Sequence, residues 1–129
     1  MESRNNVRIL LVDDEPALTR LMQTYLARMG YTVDTSLRAG EALALFDANP
    51  EGYKLVVADI TLPDMPGSDM AVQMADRNPN LRILLCSGYP FAVDSLPERI
   101  RHRFASLQKP FLPNMLAEAL EQLLQRQTD

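Results

Sequence analysis

The chain has 129 residues, of which 47% are hydrophobic and 23% charged, and this composition fits one compact domain. A net charge of -4 argues against the broad basic surface that nucleic-acid binding requires. A single cysteine, Cys86, excludes an internal disulfide, and neither a signal-peptide pattern nor a membrane-spanning apolar run is present in the sequence. We therefore expect a cytoplasmic protein in which residues 1–129 form a single domain with a core over about 7–126.

Strand and helix patterns alternate along the chain. In order, the predicted elements are a strand over 7–12, a helix over 16–29, a strand over 31–35, a helix over 38–49, a strand over 54–59, a helix over 68–78, a strand over 81–86, a helix over 91–101, a strand over 104–108 and a helix over 112–123. The helix over 91–101 is the least well signalled because Pro97 lies inside it.

Three of these strands are continuous apolar runs, which are typical of strands covered on both faces in a parallel sheet. The alternating pattern over 31–35 predicts an edge strand. Five strand–helix units with right-handed crossovers predict an α/β fold, a doubly wound five-stranded parallel sheet flanked by five helices. Ligands of such sheets bind outside the carboxyl ends of the strands.

Charged and hydroxyl side chains follow four of the predicted strands. Asp13 and Asp14 follow the first strand, Asp59 the third, Ser87 the fourth and Lys109 the fifth. Each has an ordinary interpretation by itself: Asp14 as a helix cap, Ser87 as part of a turn, Lys109 as a solvated residue. Together, at one edge of a sheet, they predict a single site.

The acids of this site predict a bound cation. Two carboxylates about 4 Å apart repel by roughly 4 kcal/mol at an effective dielectric constant near 20. Carboxylate oxygens with water suit Mg²⁺, which often binds phosphate as well. Asp59 could then attack phosphorus and become an aspartyl phosphate, while Mg²⁺, Lys109 and Ser87 neutralise the phosphoryl oxygens.

Four motifs carry a resemblance to a known family. "LLVDDEP", "VVADITLPDMPGSDM", "LLCSGYP" and "LQKPF" together resemble the receiver domain of two-component response regulators, over essentially the whole chain. The residues of the last two motifs are most similar to those of receivers associated with hybrid sensor histidine kinases. The resemblance implies a flavodoxin-like fold with strand order 2-1-3-4-5.

The resemblance also implies a metal site. It implies that Asp14, Asp59 and the backbone carbonyl of Thr61 bind Mg²⁺ directly. Asp13 would contribute through a water molecule or a supporting contact.

The resemblance further implies a phosphorylation switch rather than a turnover enzyme. Asp59 would accept a phosphoryl group from a histidine kinase or a histidine phosphotransfer domain, and would later lose it by self-dephosphorylation. Ser87 would move to the phosphoryl group, Lys109 would contact it, and the Lys109–Pro110 bond would be cis. The face formed by the predicted fourth helix, the last strand and the last helix would then change its protein contacts. The downstream partner stays unknown, and we expect a monomer or weak dimer without membrane insertion.

The sequence departs from the family at Ser106. Receivers usually carry Tyr or Phe three residues before the lysine, and this aromatic side chain rotates inward on activation. Phe104 lies roughly 7 Å back along the strand and is an imperfect substitute. Thr61 and Tyr89 flank the site, and we expect Tyr89 to shield the phosphoryl group from water.

The basic run from Arg99 to Arg103 has two interpretations. It is typical of a solvated face, and the alternative is a docking patch for a partner.

Three other functions are weighed against the receiver. A Mg²⁺-dependent phosphatase would need a second aspartate at position 61, where this chain has Thr61. A flavin-binding protein would need a glycine-rich phosphate loop, which this sequence lacks. A degenerate receiver that binds partners without phosphorylation is kept open by Ser106.

Overall fold

A computed structural model describes residues 7–126 of the chain. Its five strands are β1 (Arg8–Val12), β2 (Thr32–Ser36), β3 (Leu55–Asp59), β4 (Arg82–Ser87) and β5 (Phe104–Gln108). Every neighbouring pair is parallel, and the order is β2-β1-β3-β4-β5. The structure confirms the predicted α/β fold and strand order. The predicted domain extent of 1–129 includes residues 1–6 and 127–129, which lie outside the described residues.

Four α-helices cover the two faces of the sheet within the described residues: α1 (Pro16–Arg28), α2 (Ala39–Ala48), α3 (Gly67–Arg77) and α4 (Pro113–Gln125). Alternate residues of each central strand point to opposite faces. One apolar cluster joins Leu10, Val56 and Ile83 to side chains of α2 and α3. A second joins Ile9, Val57 and Leu84 to side chains of α1 and α4. Burial on both faces explains why these strands are continuously apolar.

The predicted helix over 91–101 is wrong. The segment between β4 and β5 contains two 3₁₀ helices, Val93–Ser95 and Arg101–Arg103, and no α-helix. Pro97 explains the break: the residue before a proline is pushed out of the helical region, and Leu96 is extended with φ -80° and ψ 157°. Leu96 and Ile100 still bury their side chains in the core.

Two buried arginines lie at the amino ends of β4 and β5 and bind the ends of two helices. The Arg103 guanidinium donates to the carbonyl oxygens of Ala75, at 3.1 Å, and Asn78, at 2.9 Å, at the carboxyl end of α3. The Arg82 guanidinium donates to the Arg126 carbonyl oxygen, at 3.0 Å, at the end of α4. Cations at the carboxyl ends of helices are favourable because those carbonyls carry partial negative charge. Burial of Arg103 contradicts its interpretation as part of a solvated face.

Gly67 brings the start of α3 against the end of β3. Its N–H donates to the Ile60 carbonyl oxygen at 2.6 Å. A Cβ atom at position 67 would lie 1.9 Å from the Asp59 carbonyl oxygen, a distance that requires the backbone to move. The absence of a side chain at Gly67 therefore sets the path of the loop over 60–66.

Replacing Gly67 should destabilise the fold. We expect Gly67→Ala to lower the free energy of unfolding by roughly 1–3 kcal/mol, because the added methyl group overpacks a backbone contact. Urea denaturation measures the change. Gly88→Ala is the matched control, since a Cβ at that position meets no atom within 4 Å. Equal unfolding free energies for the two variants would contradict the close-approach argument.

Candidate functional site

The loop after β1 presents one buried and one exposed carboxylate. Asp13 is buried; its Oδ1 accepts the Glu15 N–H at 3.0 Å, and its own N–H donates to the Ser36 carbonyl oxygen at 3.1 Å. The Thr19 hydroxyl donates to the Asp13 carbonyl oxygen at 3.1 Å. Asp14 is exposed. Its interpretation as a helix cap is wrong, because Glu15 is the N-cap residue of α1 and no side chain makes a capping bond there.

Asp59 ends β3 at the centre of the same edge. Its side chain is mostly buried, and its Oδ1 accepts the Thr61 N–H at 3.0 Å. Carboxylate oxygens of Asp13, Asp14 and Asp59 all lie within 4.8 Å of one another. The structure thus brings together the three acids that were predicted to meet.

Lys109 reaches into this acidic cluster from the end of β5. Its Nζ lies 2.9 Å from Asp13 Oδ2 and 3.0 Å from Asp59 Oδ2. Its backbone N–H donates to the Ser87 carbonyl oxygen at 2.7 Å, and the Lys109–Pro110 bond is cis.

Lys109 stays charged in this position. Partial burial lowers the pKa of Lys109, but the hydrogen bonds and charges of Asp13 and Asp59 outweigh that effect and hold the pKa above its usual range. The contribution of these ion pairs to stability is therefore present at neutral pH, and on the alkaline side it is lost as the pH rises above the usual lysine range.

Ser87 and Tyr89 form one side of the site. Ser87 is buried, and its Oγ accepts the Tyr89 N–H at 3.1 Å. The Tyr89 side chain is 53% exposed and lines a depression beside the loop over 60–66. Tyr89 therefore stands at the rim of the site, where an aromatic side chain can limit access of water.

Ser106 leaves open space behind this rim. A cavity of about 250 Å³ is lined by Ser87, Tyr89, Pro90, Phe91, Ser106, Leu107 and Gln108. Phe104 is fully buried in the core and does not line it. Among the described residues, no aromatic side chain of β5 occupies the position that the family usually fills.

The donor set fits a divalent cation. The Lys109 ammonium group binds two of the three clustered carboxylates, so the cluster keeps an excess of negative charge. Mutual repulsion in a site that is partly withdrawn from water favours a bound cation. Oxygen donors that remain partly open to solvent are the kind that Mg²⁺ prefers. The acidic cluster can therefore hold a metal ion.

Two supporting residues of the site carry no sequence signal. Thr19 holds the Asp13 backbone from the first turns of α1, and the Asp64 carboxylate accepts hydrogen bonds from two N–H groups at the amino end of α2. Each contact joins residues that are not neighbours in the chain, so no local pattern announces it.

The protein is a doubly wound α/β domain. At the carboxyl ends of its strands lies an acidic site in which a lysine bridges two of the carboxylates. Residues 9–121 match the family model described as the response regulator receiver domain. The chain belongs to this family and is a receiver domain of two-component response regulators.

Relatives and solved structures agree with the family. The chain is 32% identical over 124 residues to the probable transcriptional regulatory protein TcrX of Mycobacterium tuberculosis, covering 93% of this chain and 50% of TcrX. It is 29% identical over 121 residues to the sensor kinase CckA of Brucella abortus, covering 92% of this chain and 13% of CckA. The chain thus spans half or less of either relative. The response regulator protein TrrA of Thermotoga maritima, solved with Mg²⁺–BeF, has a TM-score of 0.76 and 31% identity, with 92% of this chain and 99% of TrrA covered.

Between residues 7 and 126, none of the helices combines the length and the apolar character that crossing a bilayer requires.

Cys86 should be inert in the folded protein. It lies on β4 directly beside Asp59, and burial raises the pKa of its thiol to about 12 although the Lys109 charge opposes that shift. We expect almost no reaction with a disulfide reagent at about pH 8, and rapid reaction once urea unfolds the chain, because only the thiolate attacks. Absorbance of the released thiol measures both rates. Rapid labelling of the folded protein would contradict this description of β4.

Proposed function

We propose that Asp59 is the phospho-acceptor of this receiver and that the protein works as a Mg²⁺-dependent phosphorylation switch. The observation that supports this most is the position of the Lys109 ammonium, 3.0 Å from Asp59 Oδ2 within a cluster of three carboxylates. An ammonium group and a cation site flank this carboxylate. Their positive charge would neutralise the negative charge of the incoming phosphoryl oxygens, so the carboxylate is suited to attack phosphorus.

The chemistry is a displacement at phosphorus. An Asp59 oxygen forms a bond to phosphorus as the bond to the donor's histidine nitrogen breaks, and the nitrogen leaves with that electron pair. Lys109 moves no proton: it remains an ammonium group and balances charge on the phosphoryl oxygens. The Ser87 hydroxyl donates a hydrogen bond to another of those oxygens. Dephosphorylation follows when water attacks the same phosphorus.

Asp13, Asp14, Asp59 and the Thr61 carbonyl would hold Mg²⁺. When bound, the ion would supply positive charge to the phosphoryl oxygens. The Thr61 backbone is already fixed next to Asp59, since its N–H donates to Asp59 Oδ1. Asp13 would contribute through a water molecule or a supporting contact, and the exposed Asp14 would turn toward the ion.

The partners follow from the family. A histidine kinase or a histidine phosphotransfer domain would supply the phosphoryl group, and a downstream protein would read the modified surface. Similarity to a sensor kinase and to a transcriptional regulatory protein supports both settings. We place the domain in the cytoplasm, as a switch rather than a turnover enzyme.

The degenerate receiver is the one alternative that an observation favours. Ser106 removes the usual aromatic side chain, so phosphorylation of Asp59 would have to reach the partner surface by another route. The full set of acids, Ser87 and Lys109 argues against this alternative, because a domain that is never phosphorylated has no need to crowd three carboxylates around one ammonium group.

Asp59→Asn should abolish phosphorylation. Wild-type protein incubated with acetyl phosphate and Mg²⁺ should gain the mass of one PO₃ group, whereas the variant should gain none because an amide cannot attack phosphorus. Intact-mass spectrometry measures the gain. Asp69→Asn, which neutralises an exposed acid of α3, is the matched control and should behave as wild type. A wild-type protein that gains no mass, with or without Mg²⁺, would favour the degenerate receiver.

Tyr89→Ala should shorten the life of the phosphorylated state. Loss of the ring at the rim exposes phosphorus to water, so we expect the dephosphorylation rate to rise several-fold in a time course by mass spectrometry. Tyr89→Phe keeps the ring and should retain the wild-type rate. An unchanged rate in the alanine variant would remove Tyr89 from the shielding role.

A further inference from the structure

The amino end of α2 is capped by a side chain from another loop. Arg38, the N-cap residue of α2, makes no side-chain capping bond. The Asp64 carboxylate takes that role: Oδ1 accepts the Ala39 N–H at 2.9 Å and Oδ2 accepts the Gly40 N–H at 2.8 Å. The bond from Gly40, followed by that from Ala39, holds the pKa of the Asp64 carboxyl below its usual range, so the cap is ionised at neutral pH.

The same helix end is also joined to the loop that carries Asp13. Ser36 ends β2, and its carbonyl oxygen accepts the Asp13 N–H at 3.1 Å. The Ser36 hydroxyl lies 2.8 Å from the Arg38 carbonyl oxygen and 3.2 Å from a Glu41 carboxylate oxygen in the first turn of α2. The start of α2 is therefore connected to the loop that carries Asp13, through Ser36, and to the loop that follows Asp59, through Asp64.

Asp64 lies in the loop over 60–66, which runs from Asp59 to the start of α3. The base of this loop is held by the bond from Thr61 N–H to Asp59 Oδ1 and by a bridge between Thr61 and Pro66. Farther out, the Leu62 side chain is buried and Asp64 binds α2. Asp64 thus fastens the exposed part of a loop whose base contains the Thr61 carbonyl.

We propose that Asp64 is a positioning residue for the metal and phosphoryl site, because it fastens the loop over 60–66 to α2 and so fixes the Thr61 backbone beside Asp59. This inference rests on the proposed roles of Asp59 and Thr61. Asp64 is not a ligand in this proposal: it acts on Thr61 through the backbone of the two intervening residues, Leu62 and Pro63. Removal of a group that hydrogen-bonds a metal ligand directly typically changes metal affinity by one to two orders of magnitude, so a contact that acts through the loop should reach the lower end of that range.

A Mg²⁺ titration of three variants tests the inference. Chemical shifts of backbone amides, recorded well below the melting temperature, give the dissociation constant for Mg²⁺. We expect Asp64→Ala to raise that constant roughly tenfold. Asp64→Asn keeps one acceptor oxygen and should lie between the alanine variant and wild type. Glu118→Gln removes the same charge from an exposed position on α4 and should leave the constant unchanged.

A fourth variant separates positioning from stability. Ala44→Gly weakens the middle of α2 at an exposed position beyond its first turn, so it should lower the melting temperature without changing the Mg²⁺ dissociation constant. If Ala44→Gly and Asp64→Ala raise the constant equally, general loosening of α2 explains the effect and the positioning role is overturned. An unchanged constant in Asp64→Ala overturns it as well.

Wild-type behaviour shows which of the two proposals has failed. Mg²⁺ binding and PO₃ gain in the wild type, together with an indifferent Asp64→Ala variant, would overturn only the role of Asp64. A wild type that neither binds Mg²⁺ nor gains PO₃ from acetyl phosphate would overturn the proposed function, and the inference with it.

Discussion

One ammonium group that binds two of three clustered carboxylates is the interaction on which the site depends. Lys109 binds Asp13 and Asp59 at the same time, and both carboxylates are largely withdrawn from water. Without that cation, crowding of this kind would cost several kcal/mol, because like charges repel strongly where the dielectric constant is low. The excess negative charge that remains is what makes the edge attractive to a divalent ion. In the proposed function, the same arrangement prepares Asp59 for an incoming phosphoryl group.

The topology of the sheet makes this convergence possible. β1, β3, β4 and β5 are adjacent and parallel, so their carboxyl ends lie at one edge although Asp13 and Lys109 are 96 positions apart. The opposite edge is occupied by buried arginines that bind the ends of α3 and α4. The contacts that stabilise the helix ends therefore lie at the amino ends of the strands. The loops at the carboxyl ends are left to form the site.

β5 and the segment that precedes it differ in two respects from what the family resemblance predicts. Ser106 leaves a cavity of about 250 Å³ next to Ser87, and short 3₁₀ turns replace the expected helix. This pocket opens to the surface, since Ser106 and Gln108 are exposed, so side chains beside the proposed switch hydroxyl of Ser87 have room to change position. Movement of Ser87 would therefore act first on the loop that carries Tyr89, which binds its hydroxyl.

The sequence by itself determined the strands, their parallel packing and the set of residues that meet at the edge, because burial on both faces and strand-end chemistry leave local patterns. The chemical roles of Asp13, Asp14, Asp59, Thr61, Ser87 and Lys109 stay predictions. Pro97 is a local signal for the turns between β4 and β5, whereas only the tertiary structure decided the burial of Arg103 and the cap that Asp64 places on α2. These features depend on partners distant in the chain: Asp64 binds amides 24 and 25 residues away, and no local propensity or periodicity encodes such a contact.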